Sequence, residues 1–119
     1  MGFWKAKEVD VNDLGKGFIE IMAEAETAVQ AFKFARDLIV FTDRRLILVD
    51  KQGVMAKKAD YHSIPYRAIT HFSVESAGTF DRDADLKIWV SGTALPIEKE
   101  LAGSIDIKLL LRTMAEYIT

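Results

Sequence analysis

Apolar and polar residues alternate in short runs along most of this chain, most clearly at residues 38–50. This stretch reads LIVFTDRRLILVD, with the apolar runs Leu38–Phe41 and Leu46–Val49 on either side of a polar group at 42–45. Short runs rich in β-branched and aromatic residues around a polar break are typical of a β-hairpin. The pattern therefore predicts two buried antiparallel strands joined by a turn.

The same period of two continues on both sides of the hairpin and predicts seven antiparallel strands. Their expected ranges are Val29–Ala35, Leu38–Phe41, Leu46–Val49, Val54–Ser63, Ile69–Glu75, Ala84–Val90 and Leu95–Leu101. Pro65 separates the fourth strand from the fifth, because proline cannot donate to a central ladder. A sheet of this length is expected to curl into a sandwich or a barrel.

Helical spacing marks the two ends of the chain. At the C-terminus, apolar residues recur at i, i+3, i+4, i+7 and i+11 from Ile107 to Ile118, behind a cap at Ser104 or Asp106. At the N-terminus, a shorter amphipathic helix is predicted over Lys16–Glu26, with Glu20, Glu24 and Glu26 facing solvent. We expect one domain over 1–119, made of a helical extension (1–26), seven strands (28–101) and a closing helix (104–118).

Composition excludes several classes of function. Sixteen basic and eighteen acidic residues give a net charge of −2, so the chain lacks the basic character typical of nucleic-acid binding. It has no cysteine, which excludes disulfides and sulfur-ligated metals. No apolar run reaches the ~18 residues of a membrane span, and the first residues lack the apolar core of a signal peptide. We expect a cytoplasmic protein.

No group of residues predicts catalysis, a metal site or a cofactor. Asp81, Asp83 and Asp85 imitate the start of a calcium loop, but Leu86 and Gly92 stand where glycine and glutamate are required. Asp60 and His62 share one face of a strand, whereas Ser63 points away, so they do not form a triad. Two histidines in all are too few for a multi-histidine zinc site. We expect a protein without enzymatic activity.

Trp89 is the main candidate for an interface residue. It faces away from the core on its predicted strand, and exposed tryptophans are enriched at interface hot spots. Phe3 and Trp4 are further candidates, because they precede the first helix without an obvious core to join. Two alternatives stay open: these aromatics contact a neighbouring subunit, or the N-terminal segment (Phe3, Trp4 or Phe18) covers Trp89 within one chain.

Four basic residues are candidates for a weak anion contact: Arg44, Arg45, Lys57 and Lys58. The first two lie in the predicted hairpin turn and the others along the fourth strand. The simpler interpretation is that all four are solvated surface charges.

Several motifs in sequence order resemble the bacterial pleckstrin-homology family. They are DLIVFTDRRLILVDKQG, SIPYRAITHFSVESAG and FDRDADLKIWVSG, followed by the closing helix, and the similarity covers about residues 18–119. The resemblance implies a mainly β, PH-like fold: seven antiparallel strands in two near-orthogonal sheets, closed by a C-terminal helix. It also implies self-association into homo-oligomeric rings, and it supplies no ligand.

One departure from the lipid-binding relatives bears on function. Their phosphoinositide site is a long basic loop between the first two strands, whereas this connection is only Arg36-Asp37. We therefore expect a non-enzymatic interaction module that forms a homo-oligomer and presents a surface to a protein partner. The alternative is a peripheral membrane domain that binds anionic lipid headgroups.

Overall fold

The computed structural model describes residues 5–52, 58–76 and 83–118, which form one curled β-sheet and two helices. The strands are β1 (Ala6–Val9), β2 (Ala28–Phe34), β3 (Asp37–Thr42), β4 (Arg45–Gln52), β5 (Lys58–Pro65), β6 (Ile69–Ser76), β7 (Ala84–Val90) and β8 (Ile97–Ala102). The helices are α1 (Lys16–Ile19) and α2 (Ile107–Tyr117). Across the sheet the strand order is β5-β4-β3-β2-β1-β8-β7-β6. The mainly β fold with a C-terminal helix is confirmed.

The pattern does not predict β1, which brings the described residues to eight strands instead of the predicted seven. This four-residue strand pairs antiparallel with β2 and parallel with β8, where Ala6 lies opposite Leu101. It thereby joins the strands β2–β5 to the strands β6–β8, so the two predicted sheets are parts of one continuous sheet. A strand of four residues is too short to show a clear period, and its partner β8 lies far away in sequence, so the pattern does not reveal it.

The β3–β4 hairpin is the predicted one and has a core on each face. On the inner face, Ile39 and Phe41 pack toward the opposite half of the sheet and α2. On the outer face, Leu38 and Val40 belong to a second, smaller core with Phe18. Both faces are buried, which explains why these strands read as continuous apolar runs rather than as an alternation.

Helix α2 closes the inner core, as its spacing predicts. Asp106 caps the helix, because its Oδ1 accepts a hydrogen bond from the Leu109 N–H at 2.9 Å. Ile107, Leu110 and Met114 are buried against the sheet. The amphipathic stripe therefore points inward.

The predicted N-terminal helix over Lys16–Glu26 is wrong beyond Ile19. Only Lys16–Ile19 is α-helical, and Phe18 from this single turn packs in the outer core. The chain then turns so that the Glu26 side chain, expected in solvent, is only 1% exposed. The turn brings Glu26 to Arg45, with which it forms an ion pair.

β5 and β6 are the two end strands of the sheet, joined by a 3-10 turn at Tyr66–Ala68. In β5, all six positions from Lys58 to Ser63 are exposed. Ile64, which lies opposite Leu46 in the inner core, fixes the orientation of the strand and leaves Tyr61 on the outer face. Neither helix of the described residues has the length and apolar character needed to cross a membrane.

Candidate functional site

The turn end of the β3–β4 hairpin holds a buried ion pair. Arg45 donates two parallel hydrogen bonds to Glu26, from Nε to Oε2 and from Nη2 to Oε1, each at 2.9 Å. Thr42 donates a third bond to Oε2 at 2.6 Å. The Arg45 hydrogen bond, opposed by burial, lowers the pKa of Glu26 from 4.5 to about 2. Glu26 is therefore charged in the folded protein at neutral pH.

The same cluster ties three further segments to the hairpin. Arg45 also donates to the Ser63 hydroxyl in β5 at 2.7 Å and to the Ile21 carbonyl at 3.0 Å. Tyr66 donates its hydroxyl to the Thr42 carbonyl at 2.6 Å and stacks on Tyr117 of α2. Burial raises the pKa of Tyr66. These contacts all lie within the chain and pair the polar groups of the cluster with one another.

The structure separates the four basic residues proposed for an anion contact. Arg45 is engaged in the internal cluster, while Arg44 is exposed in the turn. Lys58 lies opposite Gln52, and Arg45 lies opposite Pro65, so the two basic sites are at opposite ends of β4, roughly 20 Å apart at the usual rise per residue. Lys57 falls outside the described residues. The anion contact stays a prediction.

Trp89 faces outward on β7, as predicted, and is half-buried. His71 of β6 lies opposite it, and the two rings stack with centroids 4.3 Å apart. Phe18 packs in the outer core and not on Trp89, while Phe3 and Trp4 lie outside the described residues. The role of Trp89 at an interface stays a prediction, with His71 as the neighbour that the pattern did not identify.

Three exposed apolar residues lie on β5, an end strand of the sheet, or in the segment that Arg45 ties to it. They are Ile19, Ile21 and Tyr61, which are 58%, 36% and 49% exposed; we call them the edge patch. The Arg45 guanidinium contacts both the Ile21 carbonyl and Ser63, and Ser63 shares the outer face of β5 with Tyr61. Arg45 thus places the N-terminal segment next to this strand.

One member of the edge patch, Tyr61, could have been placed on the outer face from one residue of the sequence. The alternation of the fourth predicted strand is correct in its period, but it does not tell which face is buried. Ile64 shares its face with His62 and Asp60, so it places these polar residues on the inner side and Tyr61 on the outer side. Ile19 and Ile21 depend on the end of α1, which no local signal marks.

A curled, mostly antiparallel sheet closed by a C-terminal helix is the PH-like fold. The chain belongs to the bacterial PH domain family, whose sequence model matches residues 2–118. Proteins of this fold serve in general as interaction modules for protein or lipid, and the fold alone does not specify which.

Two curated relatives come from Bacillus subtilis (strain 168), and both are named only as uncharacterized proteins. YjqA is 62% identical over 76 residues, which cover 64% of this chain and 61% of YjqA. YozO is 30% identical over 98 residues, which cover 82% of this chain and 83% of YozO. The first match thus spans about three fifths of the relative's length.

Two solved structures share the fold along almost the whole chain. A DUF1696 family protein with a pleckstrin-homology domain from Shewanella loihica is 48% identical, with a TM-score of 0.82, covering 97% of this chain and 98% of that one. A pleckstrin homology domain from Shewanella amazonensis is 51% identical, with a TM-score of 0.70, covering 96% and 92%. Both confirm the PH-like fold.

Proposed function

We propose that this protein is a non-enzymatic interaction module that forms a homo-oligomer through the edge of β5 and presents a surface to a protein partner. The observation that carries the proposal is β5 itself, an end strand of the sheet with six consecutive exposed positions. Such an edge offers a row of unpaired N–H and C=O groups to another strand. Main-chain pairing of this kind is a recurrent mode of association.

The edge patch favours β5 as the point of association. Tyr61 adds exposed apolar area to the outer face of the strand, and Ile19 and Ile21 add more in the segment that Arg45 ties to it, which supports association by burial as well as by hydrogen bonding. The opposite end of the sheet is β6, where the His71–Trp89 stack also lies on the outer face. A β5-to-β6 contact would bring the edge patch toward Trp89 and thereby include the predicted interface residue.

A β5-to-β6 contact joins two different surfaces of the same chain. Such head-to-tail contacts generate a ring when the rotation between subunits closes. This geometry agrees with the ring assembly that the family resemblance implies. The outer surface of such a ring is then available to a second protein.

Light scattering at micromolar concentration tests the proposal. We expect the wild type to have a mass that is a multiple of 13.4 kDa, and both Tyr61→Glu and Ile21→Glu to shift it toward the monomer by placing charge in the interface. Ala115→Glu is the matched control, an exposed alanine on α2. A monomeric wild type, with a mass unchanged by Tyr61→Glu and Trp89→Ala, would contradict self-assembly.

The membrane alternative has less support, because Arg45 is engaged internally and Arg44 and Lys58 lie far apart. Vesicle sedimentation separates it from the proposal. Binding to anionic vesicles that disappears as salt rises, together with a monomeric mass, would favour the alternative.

A further inference from the structure

A cavity of about 530 Å³, open to solvent, lies between the β3–β4 hairpin and the strands β7 and β8. This volume is within the range of small-molecule sites, which occur preferentially in places such as the mouths of β-barrels. Its walls include apolar residues that the strand alternation directs to the inner face: Ala6, Phe34, Ile39, Leu48 and Leu86. The cavity can therefore accept an apolar body.

Carboxylates stand in a row at one wall of this cavity. The β3–β4 register pairs Leu38 with Val49, so Asp37 and Asp50, both lining the cavity, are the next opposed positions. The alternation places both on the inner face, with Ile39 and Leu48. In β5, Asp60 lies opposite Asp50 and continues the row.

This arrangement is unfavourable for the protein alone. Like charges directly opposite each other destabilise a pair of strands. Asp37 accepts a hydrogen bond from the Lys51 N–H and Asp50 accepts one from the Gln52 amide, but among the described residues neither is in a salt bridge. A bound cation would relieve the repulsion.

The chemistry of the wall favours an organic cation over a metal ion. The described part of the chain contains no group of three or more metal-ligating side chains placed to hold an ion. Five other charged residues around the cavity (Glu75, Asp85, Lys87, Glu98 and Glu100) lie on strand positions that alternate with Leu86 and Leu101, so they belong to the outer face, whereas Lys99, opposite Leu86, belongs to the inner face. The inner wall thus carries two carboxylates, Asp37 and Asp50, against the one ammonium of Lys99, and this balance favours a cation.

We propose that this cavity binds a small organic cation, with an apolar body among Phe34, Leu48 and Leu86 and an ammonium or guanidinium group at Asp37 and Asp50. Lys99 lies on the opposite wall and shares the inner face with Leu101 by strand alternation. It repels such a group and so directs it toward the carboxylates. The proposal is independent of self-assembly, because it concerns the inside of the sheet and not its edge.

Titration with octylammonium, followed by calorimetry, tests the charge preference. Octanoate is the matched probe with the same chain and the opposite charge. We expect octylammonium to bind at least about tenfold more tightly than octanoate. In amide NMR spectra of the labelled protein, its largest shifts should fall on residues that line the cavity, such as Leu48 and Leu86.

Two sets of variants assign the effect to the named residues. The double variant Asp37→Asn/Asp50→Asn keeps both side chains nearly isosteric and should weaken octylammonium binding at least about fivefold, as expected for the loss of two partly exposed charge contacts. Lys99→Gln should tighten it about twofold or more. The control Glu24→Gln/Glu116→Gln removes two charges from exposed positions away from the cavity and should leave binding within about twofold.

Three results would overturn the proposal. The first is no octylammonium binding up to millimolar concentration, and the second is equal binding of octanoate. The third is binding that the double variant leaves unchanged, with NMR shifts on the outer face near Tyr61. Amide spectra of each variant establish that it is folded, and Lys99→Gln tests the charge preference without altering the aspartates.

Discussion

The two ends of the β3–β4 hairpin differ in how their carboxylates are paired. At the turn end, Glu26 is buried, and Arg45 and Thr42 neutralise and hydrogen-bond it. At the open end, Asp37 and Asp50 oppose each other at the wall of a cavity, and neither is in a salt bridge among the described residues. Arg45 and Asp50 belong to the same strand, so the two arrangements of charge occur within one hairpin.

From this difference we expect the turn end to contribute to stability and the open end to ligand binding. A buried carboxylate that is fully paired has nothing left to offer a ligand, and removing its partner is costly. Opposed carboxylates at an open cavity destabilise the strands slightly and leave their charge available. We therefore expect substitutions at the turn end to lower stability and those at the open end to alter binding.

The largest effect is expected from Glu26→Gln at the turn end. The substitution leaves the Arg45 guanidinium without its anionic partner, next to a side chain that is 1% exposed in the wild type. We expect the free energy of unfolding to fall by about 3 kcal/mol, measured by urea denaturation. Glu24→Gln, at an exposed position two residues earlier, is the matched control and should change it by less than about 0.5 kcal/mol. Equal effects of the two substitutions would show that the ion pair is not stabilising.

Acid should remove the same stabilisation. The pKa of Glu26 is lowered from 4.5 to about 2 in the folded protein, so its contribution is complete above pH 4.5 and is lost as the pH falls toward 2. The difference corresponds to about 3 kcal/mol. Thermal unfolding from pH 6 to pH 2 should therefore show a steeper loss for the wild type than for Glu26→Gln. Parallel curves would contradict a charged, paired Glu26.

A smaller loss is expected from Tyr66→Phe. It removes the hydroxyl that donates to the buried Thr42 carbonyl at 2.6 Å, while the stack with Tyr117 is kept. An unsatisfied buried carbonyl costs about 1–2 kcal/mol, measurable by denaturant unfolding. Tyr61→Phe, on the exposed face of β5, serves as the control. A loss below about 0.3 kcal/mol would mean that water replaces the tyrosine hydroxyl.

The smallest change in the free energy of unfolding, an increase instead of a decrease, is expected at the open end. Asp50→Asn relieves the repulsion by both Asp37 and Asp60, so we expect unfolding to cost about 0.5 kcal/mol more than in the wild type. Glu116→Gln on α2 is the matched control for the change in net charge. A destabilisation like that of Glu26→Gln would show that the carboxylates at the two ends contribute to stability in the same way.

The sequence predicts the parts of this fold whose pattern is local. The β3–β4 hairpin, β7 and the α2 stripe carry enough apolar residues in a regular period to be recognised without a partner. β1 lacks such a period. Ala6–Val9 is flanked by β2 and β8 in the sheet, and these two pairings are not visible in its local sequence. Helix α1 ends at Ile19, and Glu26 pairs with Arg45 across 19 residues, a contact that no local period reveals.

The candidate surfaces are harder to predict, because they depend on how strands face each other. Trp89 is correctly placed on the outer face, yet its stack on His71 follows from the β6–β7 register. The carboxylate row needs the registers of β3, β4 and β5, since its members are separated in sequence. Registers follow from the assembled sheet, and the sequence alone does not provide them.

Hydrogen exchange of the β5 amides tests the central claim, association through this edge, most directly. If a second chain pairs with β5, amides between Lys58 and Ser63 that point away from β4 should become protected as protein concentration rises from low micromolar to near-millimolar. Tyr61→Glu should abolish that dependence while β3 stays protected. Fast exchange of those β5 amides at every concentration would contradict association through this strand.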